Sequence, residues 1–534
     1  MSGSVRRRAG GLVTALVAAV VLGACGGGDD EAATVAADTS DLRIGIALGD
    51  LSTLDPAAEI ADASQLVLPL TGDMLVDVDS SDPTKVVPRL AETWEINGDA
   101  TEFTFTLRDG VTFSTGTAMT AQDVVTTFDR LRYFAGPPAF LLDTVSSIAA
   151  VDDRTVRFTL TGPDSAFLSK LAAPYLVVLD GEALLGNGGV ADPSAPTADK
   201  AQTYLDETTI GTGPYVLDSW QRNEQVTFTA NPDYWGEAPA FDQVTVLDIR
   251  EAATQRQLLE RGDLDIAMDL DPDTAKALEG SSGVTVSSTP SLNLIYLALN
   301  NAAPGVPELA DVRVRQAIQL AVDYEGISTG LAGGAPRPAA VDPLGLQGAD
   351  QVDPVETDAE AARRLLAEAG VSDLALEVTF ANQTLYGIPL TTLWEKLQAD
   401  LGEVGITLTL KPVEYDQWIA AFREGSLSLT TSLWAPDYID TATYLDIFGR
   451  SEGLVAGRVK ATLPAGEQLY QQYLAGTDEQ ARVDTAVQAL EAMRDDASLI
   501  PVTQPNKILG FGSSLRGVAY SPNTQIDVSA ITAG

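Results

Sequence analysis

Residues 390–433 read LTTLWEKLQADLGEVGITLTLKPVEYDQWIAAFREGSLSLTTSL, and the periodicity of this stretch alternates between two kinds. Leu390, Leu393, Trp394, Leu397 and Leu401 recur at helical spacing, so one helix runs here and stops before Gly405. Ile406-Thr407-Leu408-Thr409-Leu410 then alternates apolar and polar, the pattern of a strand with one buried face. Trp418, Ile419 and Phe422 return to helical spacing, and Leu427 to Leu433 reads as a strand again. Helix, strand, helix, strand is the order of an α/β lobe.

Working outward, Val314, Ala317, Ile318 and Ala321 mark a helix after Asp311, and Ala361 to Ala369 marks another, closed by Gly370. Between them Gly333 to Pro354 carries Pro336, Pro338, Pro343 and Pro354 and reads as a surface excursion. Towards the N-terminus, Leu42 to Leu48, Phe103 to Leu107, Thr155 to Leu160, Gln225 to Thr229 and Val244 to Ile249 read as strands. Thr120 and Asp123 form a capping-box pattern ahead of Val124, Phe128 and Leu131, which share one helical face. No period of 20 to 50 residues recurs, so a solenoid or propeller is excluded. The fold class expected is α/β.

A chain of 534 residues is long enough for two to four domains or one large multi-lobed unit. With 45% hydrophobic and 20% charged residues it has the composition of a folded globular protein. Lys+Arg total 33 against 75 Asp+Glu, a formal charge of −42, so nucleic acid and anionic membrane surfaces are repelled. Histidine is absent, which removes Ser-His-Asp and Cys-His nucleophiles, His-ligated zinc and imidazole bases together.

Arg6, Arg7 and Arg8 precede an apolar run from Ala9 to Ala24, the layout of an export signal (residues 1–24). The run ends in Leu22-Gly23-Ala24-Cys25, which resembles the bacterial lipobox, and Cys25 is the only cysteine in the chain. Residues 25–41 then read as an acylated anchor with a flexible tether, a plain signal peptide or uncleaved anchor being the alternative. Beyond that point no apolar stretch reaches the roughly 20 residues of a membrane helix.

Several catalytic and nucleotide patterns fail on inspection. Gly449-Arg450-Ser451-Glu452-Gly453 mimics a serine-nucleophile elbow, but no histidine base exists. None of the eight lysines follows a serine by three positions, and none follows a glycine, so Ser-x-x-Lys and P-loop chemistry are absent. Gly186-x-Gly188-x-x-Ala191 runs into Asp192-Pro193 rather than a helix. The acids Asp263, Asp265, Asp269, Asp271 and Asp273 lack the glycine and glutamate of a calcium loop, so solvated turns and a helix start at Asp273 are expected, with no metal or cofactor.

A set of ordered blocks resembles the family 5 extracellular solute-binding proteins, the peptide-binding components of ABC importers. Leu90-Ala91-Glu92-Thr93-Trp94, Phe105 to Phe113, Gly116-Thr117 and Thr120-Ala121-Gln122-Asp123-Val124 are similar to its first block. Gly211-Thr212-Gly213-Pro214-Tyr215 and Asn231 to Gly236 are similar to the middle block. Tyr296 to Asn300 and Asp311 to Ile318 are similar to the start of the third region, and Trp434-Ala435-Pro436-Asp437-Tyr438 resembles its Trp-x-x-Asp-Tyr block. Ser114-Thr115 stands where the family often has His-Asp, which argues against a nickel-binding branch.

The resemblance implies a two-lobed periplasmic-binding-protein-like clamp of the class II type with an extra insert domain. Lobe I would comprise residues 42–78, 209–293 and 506–534, the insert 79–208, and the other lobe 294–505. Closure of the cleft would capture an oligopeptide or similar amine-bearing solute. The protein, acting as a monomer held to the outer face of the cell membrane through its lipid anchor, would deliver it to a permease with ATPase subunits. By motif position Asp437 would pair with the ligand ammonium, a turn cap after Pro436 being the alternative. Trp434 and Tyr438 would line the pocket or pack the core, and Asp55, in the turn Leu54-Asp55-Pro56, would sit near the cleft. An oligosaccharide or opine-like ligand, or a secreted carboxylate-pair hydrolase, are the competing functions.

Overall fold

The stretch 390–433 folds into one half of a five-stranded sheet and the helices that cover it. The computed structural model describes residues 40–534; the export segment and Cys25 lie outside the described residues. Strands Leu374–Ala381 and Ile406–Val413 run parallel, with Leu374 beside Ile406 and Ala381 beside Val413. Parallel neighbours cannot be joined by a tight turn. Helix Leu390–Glu403 makes the long connection, with Leu393, Trp394, Leu397 and Leu401 at most 1% exposed. Each such side chain contributes roughly 1.5–3 kcal/mol by leaving water. The Trp394 indole is also pinned, donating to the Thr431 hydroxyl at 3.0 Å on strand Leu429–Trp434.

Strand Leu294–Leu299, LIYLAL, has every residue buried and pairs antiparallel with both Leu429–Trp434 and Leu499–Thr503. An unbroken apolar run is what a strand covered on both faces requires. The seven-stranded sheet draws on segments distant in sequence. In order across the sheet, its strands are Val284–Pro290, Asn506–Gly512, Ile266–Ala267, Asp41–Ile46, Gln243–Asp248, Gln225–Ala230 and Tyr215–Gln221.

A third, four-stranded antiparallel sheet spans Ala91–Ile96, Glu102–Leu107, Thr155–Leu160 and Val145–Asp152. Phe103, Phe105 and Phe158 are sealed within it, and Phe105 meets Phe158 edge to face at 5.7 Å. Helix Ala121–Phe134 covers this sheet through Phe128, 5.9 Å from the Phe158 ring. Its start is fixed as the sequence predicts, since the Asp123 carboxylate accepts the Thr120 N–H at 2.8 Å.

The chain passes between the seven- and five-stranded sheets at residues 291–293 and again at 504–505. The two crossings are stitched together. Ser291 donates its N–H at 3.0 Å and its hydroxyl at 2.6 Å to the Pro505 carbonyl, and Gln504 Nε2 donates to the Ser291 carbonyl at 2.7 Å.

The segment from Gly333 to Pro354 departs from its sequence reading. It is irregular, as its prolines dictate, but Ala339, Ala340, Val341 and Asp342 are at most 3% exposed. It is threaded between elements rather than laid over them. Gln504 accepts the Leu344 N–H at 2.8 Å, and Thr441 donates to Asp342 at 3.1 Å, so side chains satisfy the polar groups that irregular backbone leaves open.

Candidate ligand-binding cleft

Strand Leu429–Trp434 ends where Pro436 removes a backbone donor, and helix Thr441–Phe448 begins after Asp440 accepts the Ala442 N–H at 2.9 Å. The turn between them carries Asp437. Among the described residues Asp437 accepts no hydrogen bond and forms no ion pair, although protein surrounds most of its surface. Burial, with repulsion from Asp62, pushes its carboxyl up to about 6. Asp437 therefore lacks the partner that a capping role would have given it.

The neighbouring residues of the block divide. Trp434 is half-buried, stands edge-on to Phe448 at 5.5 Å, and lines a chamber of about 380 Å³ that Asp437 also lines. Tyr438 goes into the core at 5% exposure, with Lys170 Nζ 5.6 Å above its ring. Of the two readings for Tyr438, packing is the one realised.

Asp55 lies in a turn, its carboxylate accepting the Ala57 N–H at 3.0 Å, but its side chain is not open to a ligand. It is 0% exposed, and Arg130 grips both its oxygens at 2.8 and 2.6 Å while also holding Asp199 at 2.8 and 3.0 Å. A carboxylate saturated by a buried guanidinium has nothing left to offer a ligand. The turn at Asp55 is a structural clamp onto helix Ala121–Phe134.

A larger cavity, about 750 Å³, lies between the two main sheets. Asp50, Asp62, Asp269 and Lys507 face it from the side of the seven-stranded sheet, and Thr384, Tyr386 and Gly387 from the side of the five-stranded one. Asp62 opens onto the cavity from the first turn of helix Asp62–Thr71. Burial raises its carboxyl, with Lys507 opposing the rise and Asp269 adding to it. Asp50 is raised by burial and by Asp62. The hairpin Thr384–Leu385 with Ile388–Pro389 turns at Tyr386 and Gly387, whose φ values of 49° and 80° are those of a tight two-residue loop. Its tip reaches across to Asp271 and Pro272: a Cβ on Gly387 would stand 2.9 Å from Asp271 Cβ and 2.7 Å from Pro272 Cδ.

The repulsion between Asp62 and Asp437 links the two cavities electrostatically across the cleft. Asp50, Asp62 and Asp269 give the larger cavity an acidic wall, with Lys507 among them. Sequence reasoning missed Asp62 and Tyr386. Of these only the Tyr386-Gly387 turn had a visible signal, a glycine between two short apolar segments.

The model of the bacterial extracellular solute-binding proteins, family 5 Middle, matches residues 85–454. The chain belongs to the family 5 extracellular solute-binding proteins. This family 5 chain is 31% identical to the probable D,D-dipeptide-binding periplasmic protein DdpA of Escherichia coli K12, over 91% of its own length and 93% of the relative's. It is 27% identical to the dipeptide-binding protein of the same strain, over 82% and 84% of the two chains. Among solved structures, HbpA2 from Haemophilus parasuis superposes with a TM-score of 0.79 at 25% identity, covering 92% of this chain and all of its own. The two-lobed binding-protein fold is thereby shared. Among the described residues of this family 5 protein, no helix is long and apolar enough to cross a membrane.

Proposed function

We propose that this family 5 protein captures short peptides, or similar amine-bearing solutes, in the cleft between its two main sheets and surrenders them unaltered to an ABC permease driven by ATPase subunits. The observation that carries the reading is Asp437, a carboxylate without a partner in an aromatic-walled chamber, raised to about 6 by burial. An ion left unpaired in such a place costs several kcal/mol, and a ligand ammonium removes that cost. The names of the relatives, a probable D,D-dipeptide-binding protein and a dipeptide-binding protein, support the same class of ligand.

Residues 42–78, 209–293 and 506–534 act as one lobe, 294–505 as the other and 79–208 as an insert. Closure turns on the paired crossings at 291–293 and 504–505. The export signal and the lipobox at Cys25 hold the monomeric protein at the outer face of the cell membrane, where a permease is within reach of the tether.

Titration calorimetry of the protein with a mixed dipeptide library, against Asp437→Ala, tests the reading. Peptide binding that weakens at least 10-fold in the variant supports it. Unchanged peptide affinity removes Asp437 from the site, and absence of any peptide binding moves the ligand class to a non-peptide solute.

A further inference from the structure

Helix Phe167–Leu171 is short, and Phe167, Ser169, Lys170 and Leu171 on it are all buried. One side of it belongs to the four-stranded sheet, where Phe167 meets Phe103 at 5.0 Å and Phe158 at 5.4 Å. The other side is covered by residues of 294–505. Ser165, just before the helix, donates its N–H to the Leu474 carbonyl at 2.9 Å and its hydroxyl to the Tyr473 carbonyl at 3.1 Å. Ser169 donates to Asp440 at 3.4 Å, and Lys170 Nζ, held by Asp164 at 2.7 Å, stands over the Tyr438 ring. Tyr438 and Asp440 belong to the turn that carries Asp437. Phe167 and Leu171 share one apolar core with Tyr438, Ile439, Tyr473 and Leu474, so parting them would bare apolar surface to water.

The segment 79–208 is bonded just as firmly to the other side of the cleft. Besides the Arg130 clamp on Asp55, Asp206 accepts the Thr53 hydroxyl at 2.6 Å and the Leu54 N–H at 2.7 Å, and Arg89 holds Asp73 at 2.7 Å. At the end of the short helix itself, Asn523 Nδ2 donates to the Ala172 carbonyl at 3.0 Å. A piece bonded to both halves of a clamp either breaks one set of bonds on opening or sits where opening moves nothing.

The position of the helix decides between these. Helix Thr441–Phe448, capped by Asp440, also reaches the crossing at 291–293, where the Tyr444 hydroxyl donates to the Leu292 carbonyl at 2.7 Å. Leu292 lies in the same apolar core as Phe167 and Tyr438. In a rotation, displacement grows with distance from the axis, so bonds beside the crossings survive a swing that separates groups far from them. Among the described residues, the hydrogen bonds that join 294–505 to the rest of the chain lie at the crossings and at this helix. The hairpin tip at Gly387, by contrast, meets Asp271 and Pro272 by steric approach.

We infer that helix Phe167–Leu171 is the fixed pivot of the clamp, keeping hold of the turn that carries Asp437 in the open and the closed form alike. A ligand ammonium then meets a carboxylate already in place, and closure brings up the opposite wall. The inference rests on the proposed capture by closure and deepens it by naming the part of the chain that stays still.

The test compares the full chain empty, the full chain saturated with Ala-Ala, and empty Gly387→Trp, whose side chain has no room against Asp271 and Pro272 and wedges the cleft open. Small-angle scattering should give the wedged form a larger radius of gyration than the saturated one. Amide hydrogen exchange at 163–171, read by mass spectrometry, should stay within about twofold across all three. Protection at 163–171 that appears with compaction and vanishes with the wedge makes the contact a latch formed on closing, and overturns the proposal. Equal radii overturn it too, since nothing then turns about the helix.

Lys170→Met with Asp164→Asn loosens the hold and leaves no charge unpaired. Exchange at 434–440 in the empty chain should quicken about tenfold in this variant, and Ala-Ala should bind about tenfold more weakly. Unchanged exchange at 434–440 overturns the proposal, and where the double variant does not fold, the wedge, made with the helix intact, decides alone. If Ala-Ala does not bind, the proposed function falls, while the wedged against the unaltered empty chain still decides the pivot. Ala-Ala binding with exchange at 163–171 that follows closure leaves the function standing and removes this inference.

Discussion

Asp440 accepts hydrogen bonds from the Tyr473 hydroxyl at 2.8 Å and from Arg482 at 2.7 Å, whereas Asp437, on the same turn, accepts none from the described residues. Asp440 also caps helix Thr441–Phe448, so its charge is absorbed by the fold. Asp437 has no such partner among the described residues. Both are acids in one short loop, and only the partners of each tell a structural group from a binding one.

Asparagine at the two positions is therefore expected to act in opposite directions. Asp440→Asn loses charge-assisted bonds and leaves Arg482 without its carboxylate, which lowers stability by about 3–5 kcal/mol in urea unfolding. Asp437→Asn removes an uncompensated charge, so the unliganded chain is expected to unfold at equal or higher denaturant. Peptide affinity instead falls at least 10-fold. Parallel destabilisation by both variants would refute the assignment of Asp437 as a ligand group.

Peptide affinity is expected to follow the ionisation of Asp437. Its carboxyl holds a proton up to about pH 6 in the unliganded fold, against an ordinary value of 3.8. The folded value is the raised one, so below 3.8 the group is neutral in both states and costs nothing. Its destabilisation of the empty protein grows as pH rises from 3.8 towards 6 and is complete above. A ligand ammonium needs the ionised form. Binding between pH 4 and 6 should release up to one proton, with affinity rising about tenfold per pH unit and levelling above pH 6. Calorimetry in buffers of different ionisation enthalpy reads both quantities. Asp437→Asn should flatten the profile, and Asp62→Asn, by removing the repulsion across the cleft, should move its midpoint down.

The Arg130 clamp predicts a stability effect with little effect on ligand. Arg130 is 1% exposed and Asp55 0%, and the same guanidinium also holds Asp199. Arg130→Met leaves both carboxylates buried without a cation, an expected loss of about 3–5 kcal/mol. Adding Asp55→Asn and Asp199→Asn should restore much of it, since neutral amides lose less by burial. Urea melts of the single and triple variants, with peptide affinity measured on each folded form, check this. A drop in affinity without a drop in stability would return Asp55 to the cleft.

What the sequence made legible was whatever local periodicity encodes. Helix Leu390–Glu403, strand Ile406–Val413, helix Tyr415–Glu424 and the Asp123 capping box each declare themselves within a dozen residues. Asp437 and Trp434 were legible through a block of neighbouring residues. Asp62 was not, because what marks it is its setting beside Asp269 and Lys507, which come from distant segments. The Arg130 partner of Asp55 was hidden for the same reason, since nothing near Asp55 in sequence announces it. The proline-rich stretch 333–354 read as surface because proline excludes regular structure. Whether irregular backbone is buried depends on side chains such as Gln504 arriving to satisfy it.

The hairpin tip at Gly387 offers a test of closure. Its φ of 80° carries a backbone cost for any other residue, and its approach to Asp271 and Pro272 across the cleft carries a second, steric one. Gly370 separates the two costs, because its φ of 74° imposes the same backbone strain with nothing near its missing Cβ. Gly370→Ala is expected to lose about 1 kcal/mol of stability and no affinity. Gly387→Ala should lose a comparable amount of stability and also bind peptide about tenfold more weakly, since the methyl group props the tip away from Asp271 when the lobes meet. Small-angle scattering with saturating peptide should show compaction for Gly370→Ala and a larger radius of gyration for Gly387→Ala. Equal compaction in both would mean that the tip gives way under contact, and that the cleft closes on some other stop.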